Sequence, residues 1–175
     1  MAKKKTTKKK IPIMAPTEEK FMAFEGLLQW TLGVIVQSKR VATAKARLGS
    51  NEMSDSVARH VAILESHYED HFFVIAAHKL IEYRDWCQTF GLFPGVDFSE
   101  IDAFSKEDIK DLRNMREHVV AYFRGKGLEK EKWRASDAST VSGTVIGGRL
   151  DWDKFSEAAK HLLPALFAEP IPFPK

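Results

Sequence analysis

Apolar residues recur every three or four positions along most of this chain, the period of helices that bury one side. From Thr17 to about Arg47 the face is marked by Phe21, Phe24, Leu28, Val34, Ile35 and Val41, with Thr17 as cap and Glu18 and Glu19 in the first turn. Gly49, Ser50 and Asn51 end it. Ser54 or Asp55 caps a second helix, in which Val57, Val61, Leu64, Tyr68, Phe72 and Ile75 form a stripe predicted to face the core, extended by Trp86 and Phe90. The stretch GLFPGVDFSEIDAF, residues 91–104, has loop composition and predicts a connector whose aromatics pack onto the helices. Ser105, with Asp108 three residues on, opens a third helix predicted to run to about Arg124 and to stop at Gly125 and Gly127. Gly143, Gly147 and Gly148 among valines and threonines then predict a small hairpin or an ordered loop. A last helix, from about Asp151 to Phe167, closes the core with Phe155, Ala159, Leu162, Leu163 and Leu166.

The expected architecture is therefore all-α, an antiparallel bundle of four to five helices with a short hairpin-like insertion before the last. Residues 17–168 form one domain between an arm, 1–16, and a proline-rich tail, 169–175. Its 175 residues and 44% hydrophobic content suit a single core. No apolar run reaches the roughly 20 residues of a membrane span, and MAKKKTTKKK has no apolar segment of a secretory signal, so a soluble, cytoplasmic protein without membrane partners is expected. The single cysteine, Cys87, forms no intrachain disulfide and sits among aromatics as a packed thiol.

Charge changes this picture at one end. Lys3, Lys4, Lys5, Lys8, Lys9 and Lys10 account for six of the 27 basic residues, so the remaining chain carries 21 against 24 acidic ones. Such an arm suits salt-sensitive contact with nucleic-acid phosphates, without base specificity.

Chemistry concentrates in DLRNMREHVVAYF, residues 111–123. On a helical wheel Leu112, Met115, Val119 and Phe123 fall within roughly 80° and face the core. Arg113, Asn114, Glu117, His118 and Ala121 lie opposite. Asn114 and His118 are one turn apart, as are Arg113 and Glu117, and Ala121 leaves room for a second helix. Arginine, asparagine, three further residues and histidine in a late helix of a small helical domain, RNMREH, resembles the signature of the HEPN superfamily. That resemblance implies a dimeric helical bundle and, in many members, a metal-independent endoribonuclease whose site is shared across the dimer. It marks Arg113 and His118 as the catalytic pair and Asn114 as the polar residue after the arginine, with RNA as substrate and no cofactor. It also implies a toxin or defence effector, held by an antitoxin or regulatory protein.

The chemistry implied is economical. A base takes the 2′-hydroxyl proton, an acid protonates the 5′-oxygen, and a cation meets the charge on phosphorus. His118 suits either proton role, and Arg113 offers a permanent planar cation. Asn114 orients His118, while Glu117 either positions Arg113 or is a plain surface ion pair. One chain supplies one motif histidine, so two protomers supply the pair.

A second cluster competes. His60, His67, His71 and His78 lie within about 40° on the second helix, and Glu82 and Asp85 continue the line. His67 and His71 are one turn apart, as two metal ligands would be, but Tyr68 stands where a metalloprotease helix carries glutamate. Metal binding, a groove lining and ordinary half-buried packing all stay open for the row. Two further function classes therefore stand beside the nuclease: an inactive nucleic-acid or protein-binding module, and a helical metal-binding protein.

Overall fold

The computed structural model describes residues 16–50, 55–118 and 143–169. Helix α1 spans Pro16–Leu48, α2 Ser56–Thr89, α3 Ser99–Asp102, α4 Lys106–Glu117 and α5 Trp152–Ala168. A two-stranded antiparallel hairpin, β1 Val145–Ile146 and β2 Leu150–Asp151, precedes α5. The chain is thus a helical bundle with one small hairpin, as the periodicity predicts.

Side-chain caps set most of these boundaries. The Asp55 carboxylate accepts from the Val57 amide, Ser105 Oγ from the Asp108 amide and the Asp151 carboxylate from the Lys154 amide, at 3.0, 3.2 and 3.2 Å. Each satisfies a donor that the first helical turn leaves without a partner. The hairpin turns on Gly147 and Gly148, whose φ values of 57° and 68° suit a primed turn that residues with a Cβ rarely adopt.

Helices α1 and α2 form a long antiparallel pair, stitched along its length. Cys87 Sγ donates to the Ala23 carbonyl, Gln37 Nε2 to the Glu69 carbonyl, and Arg47 pairs with Glu65 at 2.8 Å. The backbone of Gly26 lies directly under the Tyr83 ring, where any Cβ would overlap it. Helix α5 packs against α1, and its Phe155 meets Phe73 of α2 and Phe104 of the connector edge to face, with centroids 6.2 and 4.9 Å apart. The connector buries Leu92, Phe93, Phe98 and Ile101. Phe93 has φ 59°, a conformation costing about 1–3 kcal/mol for a bulky residue. Its ring stacks on Phe24 at 4.9 Å and is 5% exposed, and burial on that scale returns about 1.5–3 kcal/mol. As expected, Cys87 is buried, and burial pushes its thiol up to about 12, which leaves it a packing group.

The face of α2 departs from expectation. The stripe predicted to meet the core points outward: Val57, Val61, Leu64, Tyr68 and Phe72 are all exposed, Val57 by 66% and Tyr68 by 61%. The buried face is built from smaller groups, Ala62, Ser66, Asp70, Ala76 and Ala77, together with Phe73, Val74, Leu80 and Ile81. Small side chains let two helix backbones approach, and that close approach outweighs the larger burial the other face offers. Phe21 of α1, also expected inside, is 46% exposed. Helix α4 ends at Glu117, seven residues before the expected Arg124, with His118 as its C-cap. Val119, Ala121, Phe123, the lysine arm and residues 170–175 of the tail lie outside the described residues. No described helix is long and apolar enough to cross a membrane.

Candidate functional site

Helix α4 lays Ile109, Leu112 and Met115 against the bundle and holds Lys106, Lys110, Arg113 and Asn114 along the flank facing α2. Arg113 is the best organised of them. Its Nε lies 2.7 Å from the Glu117 carboxylate, and its Nη1 donates to Asn114 Oδ1 at 3.0 Å. The expected pairing of Arg113 with Glu117 one turn on is therefore present, and the side chains are 34% and 30% exposed. Asn114 serves the arginine: its only link to His118 is through the backbone, the His118 amide donating to the Asn114 carbonyl at 2.9 Å. The expected side-chain contact between Asn114 and His118 is replaced by this cap, because the helix ends there. His118 itself is exposed.

Arg113 and Asn114 open onto a groove of about 480 Å³ between α2 and α4. Its other lining residues are His78, Ile81, Glu82 and Asp85 from α2, and Lys106 and Lys110 from α4; His118 is not among them. Lys106 pairs with Asp85, and Lys110 reaches Glu107 at 3.5 Å. His78 Nδ1 lies 4.0 Å from Glu82, longer than a hydrogen bond, and Lys79 holds that same carboxylate at 2.6 Å. The histidine row and the arginine motif, separate features in the sequence, thus meet in one groove through His78.

The other histidines differ among themselves. His60 is exposed, and the buried Nε2 of His67 makes no hydrogen bond. The His71 ring lies edge-on to Phe72 with centroids 5.4 Å apart. Among the described residues no group of three or more His, Cys, Asp or Glu side chains is placed to hold a metal ion, so His67 and His71 gain no third ligand.

Beneath this surface lies a charge cluster that sequence reasoning missed. Asp70, fully buried on α2, has Lys45 of α1 at 3.3 Å, with the lysine side chain 11% exposed. Arg116, which lies about 40° from Leu112 on the helical wheel, turns inward and donates from Nη1 to the His67 carbonyl at 3.2 Å. It stands within electrostatic reach of Asp70, whose charge favours its protonated form. A usable signal existed in the line Ala62, Ser66, Asp70, Phe73, Ala77, which places a charge in the middle of a small-residue face.

Burial pushes the pKa of His71 and His78 below the ordinary 6.5; Arg116 adds to this at His71, and Arg113 and Lys79 at His78, against the opposing pull of Glu117 on both and Glu82 on His78. A depressed folded-state pKa means that the unfolded chain binds more protons, so this contribution is present above pH 6.5 and is lost as pH falls through the folded values. Thermal unfolding from pH 7.5 to 5 is therefore expected to show a shallower decline in the double variant H71Q/H78Q than in the parent. Parallel curves would refute this assignment.

No protein-family model, no curated protein and no solved structure matches this chain.

Proposed function

We propose that the chain is an endoribonuclease that cleaves RNA without a metal ion and completes its site across a homodimer. A toxin or defence effector is its proposed setting, with an antitoxin or regulatory protein as partner and the cytoplasm as its location. The observation that carries the proposal is the placement of Arg113, a guanidinium oriented by Glu117 and Asn114 at the mouth of a groove that also holds a half-buried histidine. In the reaction a base removes the 2′-hydroxyl proton, O2′ bonds to phosphorus, the bond from phosphorus to O5′ breaks, and an acid returns a proton to O5′. Arg113 meets the negative charge that grows on the phosphoryl oxygens. His118, exposed at the end of α4, is free to reach a substrate held by a second copy.

The exposed stripe on α2 supports the dimer. Val57 to Phe72 cover about 22 Å of helix. A two-fold axis across that face sets the stripe against itself. A continuous exposed apolar stripe of this length suits the centre of an interface of roughly 800 Å² per partner. His71 stands beside the stripe on the side of α4: its ring abuts Phe72, and Arg116 and Glu117 of α4 act on its protonation. In sedimentation, the variant L64E/Y68E is expected to run as a monomer where the parent runs as a dimer, with helical content unchanged because both side chains lie outside the core. A dimer that survives both glutamates places the interface elsewhere.

One observation favours the reading of an inactive binding module: each cation of the groove already faces a carboxylate, Lys106 with Asp85, Lys110 with Glu107 and Arg113 with Glu117. The deciding experiment is digestion of total RNA by the purified full-length chain in EDTA. Cleavage is expected to persist; a parent that cleaves nothing under any ionic condition leaves the binding module as the better account.

A further inference from the structure

The motif supplies His118 as its histidine, yet the histidine beside Arg113 is another one. His78 projects from α2 into the groove that Arg113 and Asn114 line from α4. We propose that His78 is the group that takes the proton from the RNA 2′-hydroxyl in this groove, with Arg113 as the phosphate cation of the same protomer. The inference rests on the nuclease reading and assigns a catalytic residue that the motif does not contain.

Two features favour this role. First, the side chain is 17% exposed, so one edge reaches the groove while the rest is packed and held in place. Second, the groups around it suit a neutral imidazole: Arg113 from α4 and Lys79 from its own helix repel a proton, and Glu82 and Glu117 only partly oppose them. Lys106, Lys110 and Asp85 complete the charges lining the groove. A histidine kept neutral near pH 7 is in the form a general base needs.

The proton inventory then closes with two different histidines. The His78 imidazole takes the 2′-hydroxyl proton and becomes imidazolium; O2′ bonds to phosphorus and the bond to O5′ breaks. His118 of the second protomer gives its proton to O5′. The products are a 2′,3′-cyclic phosphate and a 5′-hydroxyl, and both histidines are restored by exchange with water.

The test combines kinetics with a measurement that needs no turnover. H78Q is expected to lose at least about a hundredfold in kcat on a short RNA, the scale of a removed general base, and to lose the acidic limb of the parent's pH profile. H60Q, whose side chain is exposed on the same helix and lies outside the groove, is expected to match the parent. In the parent, titration with uridine 3′-monophosphate is expected to shift the imidazole resonances of His78 and leave those of His60 in place. If the parent cleaves RNA while H78Q retains its rate and pH profile, the assignment fails and the nuclease reading stands. If H78Q loses its fold, the titration decides, and an unmoved His78 overturns the assignment. A parent without cleavage overturns the nuclease reading and this assignment together.

Discussion

Arg113→Ala is expected to lower RNA cleavage by at least about a hundredfold while leaving the helical fold in place, because removing a positioned cation costs on that order in rate. The side chain is a third exposed, and the packing of α4 rests on Ile109, Leu112 and Met115. Its pairing with Glu117 is solvent-accessible and contributes less than about 1 kcal/mol, so the fold loses little. Arg113→Lys keeps the charge and discards the planar fork, and an intermediate rate is expected. His118→Ala, exposed at the helix end, should also abolish cleavage without unfolding. Glu117→Ala should cost far less than either, since Asn114 still holds the guanidinium through Nη1. Rates on a defined RNA in EDTA, beside circular dichroism of each variant, check this order; an Arg113→Ala protein that cleaves like the parent sinks the site.

The largest expected loss of stability lies at Asp70, which no substrate touches. Asp70→Ala should destabilise the domain by about 3–5 kcal/mol, the range for removing one partner of a buried ion pair. It leaves Lys45, 11% exposed, and the inward-turned Arg116 without their shared carboxylate. For a domain of this length the midpoint of thermal unfolding should fall by about 10 °C. Asp70→Asn should cost less, because burial raises the Asp70 pKa above 3.8 despite Lys45 and Arg116, so the site partly favours a neutral group. The sign of its pH dependence opposes that of the histidines. The preference of the site for the neutral carboxyl adds a pH-dependent part that is fully present below pH 3.8 and is lost as pH rises through the higher folded value. Equilibrium denaturation of the three proteins at pH 4 and pH 7 measures both effects, and an alanine variant as stable as the parent refutes the role of the cluster.

The helices themselves were legible because short polar side chains announce where they begin. Asp55, Ser105 and Asp151 each cap the helix that the sequence places after them. The facing of α2 was not legible, because periodicity locates an apolar stripe without naming the surface it meets. Val57, Leu64 and Tyr68 are the larger hydrophobes, yet alanines and a serine offered α1 the closer approach. The end of α4 was also misread, since Gly125 and Gly127 are strong stop signals and nothing at His118 competes with them in sequence. At the site, the pairing of Arg113 with Glu117 follows from helical spacing alone. The entry of His78 does not, because it depends on how two helices 17 residues apart along the chain come to lie together.

Gly26 fixes the height at which α1 and α2 meet. Sliding α1 along α2 by one turn would bring Met22 or Trp30 beneath the Tyr83 ring in place of a bare backbone, so the pair has one seat and no neighbouring one. Tyr83 follows His78 by about 7.5 Å along the same helix. The height of His78 relative to α1 is therefore tied to a residue with no side chain, on a different helix. In a saturation screen for activity, Gly26 would score beside Arg113 as a sensitive position, and the cause would be mechanical alignment rather than chemistry.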